Sequence, residues 1–385
     1  APENTAYPSN YLIVIKTSQK IVIETTFLVG IMPLTNPVII KLNEITTFVQ
    51  DKSKLTEVEV GEIKKKEGLQ IYAPEREDAL LKRLATMNNG RLPDRSIIAI
   101  YREIMSAALA LEDNLTVAYL GPEGTWTHQA AIKKFGHSIA YSPQPNFAEV
   151  FDQVARRKAH YGVVPIENST EGAVSHTLDL FVDSHLQICA QILLRIDHCL
   201  LSCIDRDKIT TLYSHPQVFG QCRNWILRNF PEADLVEVSS TTKAAKLAQE
   251  NAASGAAALG GKLAAELNGL DVIEDSIQDR ATNTTRFLVI GEKTCPATGS
   301  DRTSILFSIH DRPGSLVSAL KAFDQLNVNM SKIESRPSKQ RDWEYIFYVD
   351  LAGHCTDKPV ADALLELEKH CSLVKIFGSY PDTIE

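Results

Sequence analysis

Tyr161-Gly162-Val163-Val164-Pro165-Ile166 runs straight into Glu167-Asn168-Ser169-Thr170-Glu171-Gly172, and this stretch decides the fold. The mostly apolar half reads as a buried strand, the polar half as its turn, and a helix follows from about residue 173. The pattern recurs. Val117-Ala118-Tyr119-Leu120 leads into Gly121-Pro122-Glu123-Gly124-Thr125-Trp126-Thr127-His128 and a helix over residues 129–135. A strand ending at Tyr213 leads into Ser214-His215-Pro216-Gln217 and a helix over residues 218–230. Residues 236–238 lead into Ser239-Ser240-Thr241-Thr242 and a helix reaching residue 251. Strands alternating with helices predict an α/β domain on a mostly parallel sheet. Ligands of such sheets sit at the carboxyl ends of the strands, where these turns lie. Glycines and hydroxyls at a helix N-terminus offer free N–H groups to an anion. Gly124, Thr125, Asn168, Ser169, Thr170 and Gly172 are therefore candidate binding residues. His215, before a proline, reads first as a helix cap and second as a proton source.

Further on, Asn283-Thr284-Thr285-Arg286-Phe287 opens the apolar run Leu288-Val289-Ile290. Arginine offers a planar fork that matches a carboxylate, and Thr285 a small uncharged donor. Side by side at the mouth of a buried strand, they can grip a carboxylate while donating a proton beside it.

The chain has 385 residues, enough for two to four domains, with 44% hydrophobic and 23% charged residues. A formal charge of -8 excludes nucleic acid and an anionic membrane as main partners. The seven cysteines (189, 199, 203, 222, 295, 355, 371) are scattered without a C-x-x-C pair. They fit reduced thiols in a cytoplasmic protein, and neither metal nor cofactor is expected. Residues 20–34 are apolar but carry Glu24 and Pro33, too short a run to span a bilayer. Residues 1–50 carry no clear period and take no assignment.

From Lys52 the pattern turns helical. Val58, Val60 and Ile63 lead into Lys64-Lys65-Lys66, and Gly68 stops the segment. Pro74 opens a second helix with the stripe Leu80, Leu81, Leu84, Met87. Pro93 opens a third, with Ile97, Tyr101, Ile104, Ala108 and Leu111 at 3-4 spacing. That seam is too small for a core of its own, so it implies dimerisation or packing with a helix from residues 35–57. At the other end, residues 301–381 read strand, helix, strand, strand, helix, strand. Ile305, Phe307 and Ile309 alternate on the first strand, and Leu316, Leu320, Phe323 and Leu326 line the first helix. This order predicts a ferredoxin-like antiparallel sheet with helices on one face.

Together, these strings resemble known families. Residues 116–293, with Gly-Pro-Glu-Gly-Thr at 121–125, Pro-Ile-Glu-Asn-Ser-Thr-Glu-Gly at 165–172, Asp197-His198-Cys199-Leu200, Tyr-Ser-His-Pro-Gln at 213–217 and Thr-Arg-Phe at 285–287, are similar to prephenate dehydratases. The resemblance implies a two-lobed fold like periplasmic binding proteins, with the second lobe at about 192–271 and prephenate in the cleft. It implies a catalytic motif Thr285, Arg286, Phe287, in which Thr285 is the donor and Arg286 pairs with the pyruvyl carboxylate. Residues 51–114 resemble the all-helical chorismate mutases through Val58-Glu59-Val60-Gly61-Glu62-Ile63-Lys64, Pro74-Glu75-Arg76-Glu77 and Arg102-Glu103-Ile104-Met105-Ser106-Ala107. Lys64, Arg76 and Glu77 carry over as chorismate contacts. Four positions depart: Ala73 stands for an acidic residue, Ala108 for a serine, Ser53 for an arginine, and Asn36 falls where another arginine belongs. A cation-built site short of its cations implies weak mutase turnover. Residues 301–381 resemble the ACT regulatory domain through Pro313-Gly314-Ser315-Leu316-Val317 and Glu334-Ser335-Arg336-Pro337. Phenylalanine would bind there between two subunits of a homodimer or homotetramer. The whole would be a multidomain α + α/β + α+β chain. The competing reading is a non-catalytic two-lobed binding protein with an ACT sensor, which has no need of a proton donor at Thr285.

Overall fold

The computed structural model describes residues 72–309, 312–337 and 345–382, Lys66, and a paired β1 (Val14–Ile15) and β2 (Ile23–Glu24). Apart from Lys66, which is helical, the expected helix before Gly68, Lys64 included, lies outside the described residues. The chain forms two compact units, residues 1–60 and 61–385. In the first, β1 and β2 pair antiparallel.

The second unit begins with α1 (Pro74–Met87) and α2 (Asp94–Glu112), which pack together. Proline is free of cost at the first turn of α1, and Glu75 and Glu77 meet its positive end. The polar residues of this hairpin are spent on docking. Tyr72 packs its ring on Phe135 and Tyr161, and Lys134 pairs with Asp78 at 2.9 Å. Glu103 holds the His137 ring at 2.8 Å, and Ser106 accepts from the Ser138 amide.

The first lobe follows as β3 (Thr116–Leu120), α3 (Trp126–Phe135), β4 (Ala140–Gln144), α4 (Phe147–Ala155), β5 (Tyr161–Asn168), β6 (Gly172–Ala173), α5 (Ser175–Asp183) and β7 (Gln187–Arg195). The second lobe is β8 (Cys199–Ser202), β9 (Thr211–Ser214), α6 (Pro216–Gln221), α7 (Arg223–Asn229), β10 (Asp234–Glu237), α8 (Thr241–Glu250), β11 (Ala256–Gly260), α9 (Lys262–Asn268) and β12 (Asp271–Glu274), and β13 (Thr284–Gly291) returns. The first sheet has order β4-β3-β5-β13-β7, with β6 on β5, and the second β10-β9-β11-β8-β12. Neither is mostly parallel. Strands joined by helical crossovers are parallel (β3 with β4 and β5, β9 with β10 and β11), whereas β13, β7, β8 and β12 run antiparallel to their neighbours. The strands that carry the chain between lobes have no crossover helix to reverse them. The second lobe also starts later than residue 192, because β7 completes the first sheet, and β12 carries it past residue 271.

The last domain is β14 (Asp301–Ile309), α10 (Ser315–Gln325), β15 (Met330–Pro337), β16 (Tyr345–Ala352), α11 (Lys358–Glu368) and β17 (Cys371–Pro381), an antiparallel sheet of order β15-β16-β14-β17. Ile305 and Phe307 face the two helices, as their alternation predicts. Leu306, Tyr348 and Phe377 face the other way and share one core with Val164, Ile188, Leu288 and Ile290 of the first lobe. The two sheets are thus stacked. Where β17 crosses β7, Gly378 (φ +146°) lies so near that an added Cβ would sit 2.4 Å from the Ile188 carbonyl oxygen.

Candidate active site

β13 runs antiparallel to β5, so its N-terminal end lies beside the carboxyl end of β5, and Thr285 pairs with Asn168. Successive strand residues face opposite ways. Phe287 and Val289 pack with Tyr119, Val163 and Phe135, whereas Leu288 and Ile290 pack towards the ACT sheet. Thr285 therefore shares the face of Phe287, and Arg286 takes the other.

Around Thr285 the hydrogen bonds have a fixed direction. Asn168 Oδ1 accepts from the backbone N–H groups of Thr170 (2.9 Å) and Glu171 (3.2 Å), and from Thr170 Oγ1 (2.5 Å). Backbone amides can only donate, so the Asn168 amide has one orientation. Its Nδ2 then donates to Thr285 Oγ1 at 2.7 Å and to Asn283 Oδ1 at 2.9 Å. Asn283 Nδ2 donates to Gln221 Oε1 at 3.0 Å, and that oxygen also accepts from His198 Nε2 at 2.7 Å. His198 is consequently the Nε2–H tautomer, and its buried Nδ1 has no partner among the described residues. Burial pushes the imidazole below its ordinary pKa, against the Gln221 hydrogen bond and Asp197. Thr285 Oγ1 accepts from Asn168, and among the described residues its own O–H donates to no protein group, so the proton can be offered to a ligand. The arrangement presents one uncharged O–H donor on a rigid amide relay.

The other turn residues frame this relay. Ser169 Oγ donates to the Thr282 carbonyl at 3.0 Å and accepts from Thr284 N at 2.9 Å, lashing the β5 turn to the start of β13. Gly172 turns the chain at φ +84°. Thr125 caps α3, accepting from His128 N. Gly124 (φ +82°) touches the second lobe, where an added Cβ would lie 3.0 Å from Thr242 Oγ1 and 3.2 Å from Leu267. His215 caps α6 by accepting from Gln217 N at 3.3 Å, the first of its two readings.

Arg286 is a correction. It is 7% exposed, donating from Nε to Gln191 at 2.9 Å, from Nη1 to Asp350 at 2.6 Å and from Nη2 to the Tyr380 hydroxyl at 2.7 Å. Its fork is filled by protein groups behind β13, away from Thr285, so it cannot also hold the pyruvyl carboxylate. Burial alone would raise the Asp350 carboxyl, but Arg286, Ser304 and Arg302 hold it below its ordinary pKa. Phe287, 2% exposed, is buried in the core with Tyr119, Val163 and Phe135. Gln221, Asn283 and His198 were not singled out from sequence. The signal was present: Asn283 stands two residues before Thr285, and His198 lies in the Asp197–Leu200 string.

The helical contacts are not assembled among the described residues. The Arg76 side chain is 81% exposed, whereas Glu77 is 8% exposed, with burial raising its carboxyl against Lys134 and Arg102. In the ACT domain, Gly314 (φ +82°) opens α10, followed by Ser315, Leu316 and a largely exposed Val317. Glu334 and Ser335 lie on β15, an edge strand that ends at Pro337. Arg336 turns from that strand towards α5, bonding Ser175 and lying 4.0 Å from Asp179. Among the described residues, no helix is long and apolar enough to cross a membrane.

Three family profiles match the chain in order: chorismate mutase type II over residues 52–113, prephenate dehydratase over 117–295, and ACT domain over 303–369. The bifunctional chorismate mutase/prephenate dehydratase of Aquifex aeolicus is 42% identical over 89% of this chain and 95% of its own length. The enzyme of that name from Neisseria gonorrhoeae is 45% identical over 82% of this chain and 87% of its own. Among solved structures, the prephenate dehydratase of Arthrobacter aurescens in complex with L-Phe is 33% identical with a TM-score of 0.65, over 69% of this chain and 90% of that one. GqqA, described as a quorum quenching acylase, is 28% identical with the same TM-score of 0.65, over 70% and 98%.

Proposed function

The chain belongs to the bifunctional chorismate mutase/prephenate dehydratase family, and from that premise we propose how its cleft works. It is a prephenate dehydratase with a chorismate mutase domain before it and an ACT regulatory domain after it. Prephenate loses its ring carboxylate as CO₂ and its C4 hydroxyl as water, leaving phenylpyruvate. The electron pair of the breaking C–CO₂ bond closes the aromatic ring as the C–O bond opens. The departing hydroxyl needs a proton. Thr285 supplies it and is reprotonated from solvent, with Asn168, Asn283 and Gln221 fixing its position and Ser169, Thr170 and the turn amides orienting the substrate. The observation that carries this reading is the fixed direction of the amide relay, in which Thr285 accepts from Asn168 and, among the described residues, donates to no protein group. The groups bonded to Thr285 and Asn168 are neutral, which favours release of a carboxylate that must leave as CO₂.

Acyl transfer, the activity in the GqqA description, calls for a hydroxyl whose proton is taken by a base. Thr285 instead accepts from an amide, so dehydration is the better fit. Phenylalanine binds the ACT domain at Gly314–Val317 and Glu334–Pro337, across two subunits of a cytoplasmic homodimer or homotetramer. The edge position of β15 among the described strands and the seven free cysteines support that placement. Incubating the purified protein with prephenate and following phenylpyruvate absorbance tests the reading. Absence of phenylpyruvate alongside normal prephenate binding would return the protein to the class of binding proteins.

A further inference from the structure

Thr285 pairs with Asn168 and Arg286 with Glu167 on the β13–β5 ladder. These two neighbouring rungs turn opposite ways. The first faces the cleft, where Asn168 donates to Thr285. The second faces the ACT sheet, where Arg286 donates to Asp350 of β16 at 2.6 Å and Lys332 of β15 donates to Glu167 at 2.8 Å. Arg286 Nη1 also lies 3.9 Å from Glu167, so the four charges form one group. Ser304 donates to the second Asp350 oxygen, and the Tyr380 hydroxyl joins Ser304 to Arg286. Arg286, Ser304, Lys332 and Asp350 also border a cavity of about 20 Å³, room for about one water. The charged group thus borders the apolar core that the two sheets share.

Lys332 lies two residues before Glu334, on the same face of β15. A displacement of the Glu334–Pro337 half of that strand therefore bears on Lys332, through it on Glu167, and so on the neighbouring Asn168.

We propose that Glu167, Arg286, Lys332 and Asp350 are positioning residues of the dehydratase, a clamp by which the ACT sheet sets the Asn168–Thr285 rung from behind. The clamp rests on the dehydratase reading above and names its route of regulation. It assigns Arg286 no contact with substrate.

The test uses the full chain and the more exposed pair, since Arg286 variants risk unfolding. Lys332→Met, Glu167→Gln and the double variant Lys332→Met with Glu167→Gln are assayed with prephenate, with and without phenylalanine. Each single variant should lose about five- to thirtyfold in kcat and most of its phenylalanine response. KM should stay within about twofold, because the substrate contacts are intact. The double variant should lose little more than either single one, because both break the same link, whereas independent structural effects would add. Single variants with a lowered melting temperature but parental kcat and inhibition would overturn the clamp. A parent that fails to turn over prephenate sinks the dehydratase reading instead. In that event the clamp is read by hydrogen exchange: phenylalanine must change protection at residues 165–168 in the parent and not in Lys332→Met, and no change in the parent would overturn it.

Discussion

Replacing Thr285 by valine keeps the branched shape and removes one oxygen. That oxygen accepts from Asn168 Nδ2 at 2.7 Å, and the same nitrogen keeps Asn283 Oδ1 at 2.9 Å. Thr285 is only half-buried, so one orphaned N–H costs roughly 1 kcal/mol. Against a typical stability of about 5–15 kcal/mol, the fold survives. The loss in rate is larger. A positioned proton donor contributes about 10²–10⁴-fold, or roughly 3–5 kcal/mol of barrier. Phenylpyruvate absorbance should therefore report kcat lower by at least about two orders of magnitude, with KM little changed. Asn168→Asp sharpens the test. The new carboxylate faces Thr285 with acceptors alone, so it accepts a hydrogen bond from the threonine O–H and diverts that donor from the substrate, and kcat should fall by a similar factor although the hydroxyl remains. A Thr285→Val enzyme within about threefold of the parent would refute the donor role, because a lost donor costs far more.

Arg286→Lys loses the fork behind β13, so we expect a lower melting temperature and a lower kcat with unchanged KM for prephenate. Each hydrogen bond lost from the buried fork costs about 1–3 kcal/mol, and a tenfold rise in KM at parental stability would instead restore Arg286 to the substrate carboxylate. Gly314→Val places a branched residue at φ +82°; it should abolish phenylalanine inhibition while dehydration without effector persists, and retained inhibition would move the effector elsewhere. Chorismate should be converted far more slowly than prephenate, since each missing charge-assisted contact is worth roughly 1.5–3 kcal/mol; equal rates would show that Lys52 or Lys54 supplies the missing cation. His198 has a folded pKa below its ordinary value, so below about pH 6.5 the unfolded chain binds the proton more readily, and stability is lost as pH falls from there. Melting temperatures at pH 7.5 and 5.5 should converge in His198→Gln relative to the parent, and an unchanged gap would show that another group titrates.

The domain order and most elements were legible because strand–turn–helix repeats and the hydrophobic alternation of β14 are local signals. The Asn168–Thr285 rung was half legible. Both residues stood out as polar ends of apolar strands, but their pairing depends on β13 running antiparallel, which follows from the inserted lobe. The face of Arg286 was hidden differently. β13 is apolar on both faces, so its pattern does not say which face meets the cleft, and Asp350 lies 64 residues away with no local mark. Period-2 geometry did carry a warning, since adjacent strand residues cannot both reach into one cleft. His198 stands just before β8 and Gln221 ends α6, and only folding brings them to Asn283.

Gly378 bears on how such enzymes can be recombined. The ACT domain meets the dehydratase main chain to main chain where β17 crosses β7, and a Cβ at this position has nowhere to go. A sensing domain transplanted from another protein must bring a glycine to this crossing, whatever its effector site recognises. A donor lacking it would arrive with its own pocket intact and yet sit wedged off the recipient, folded, able to bind its ligand, and unheard by the catalytic strands.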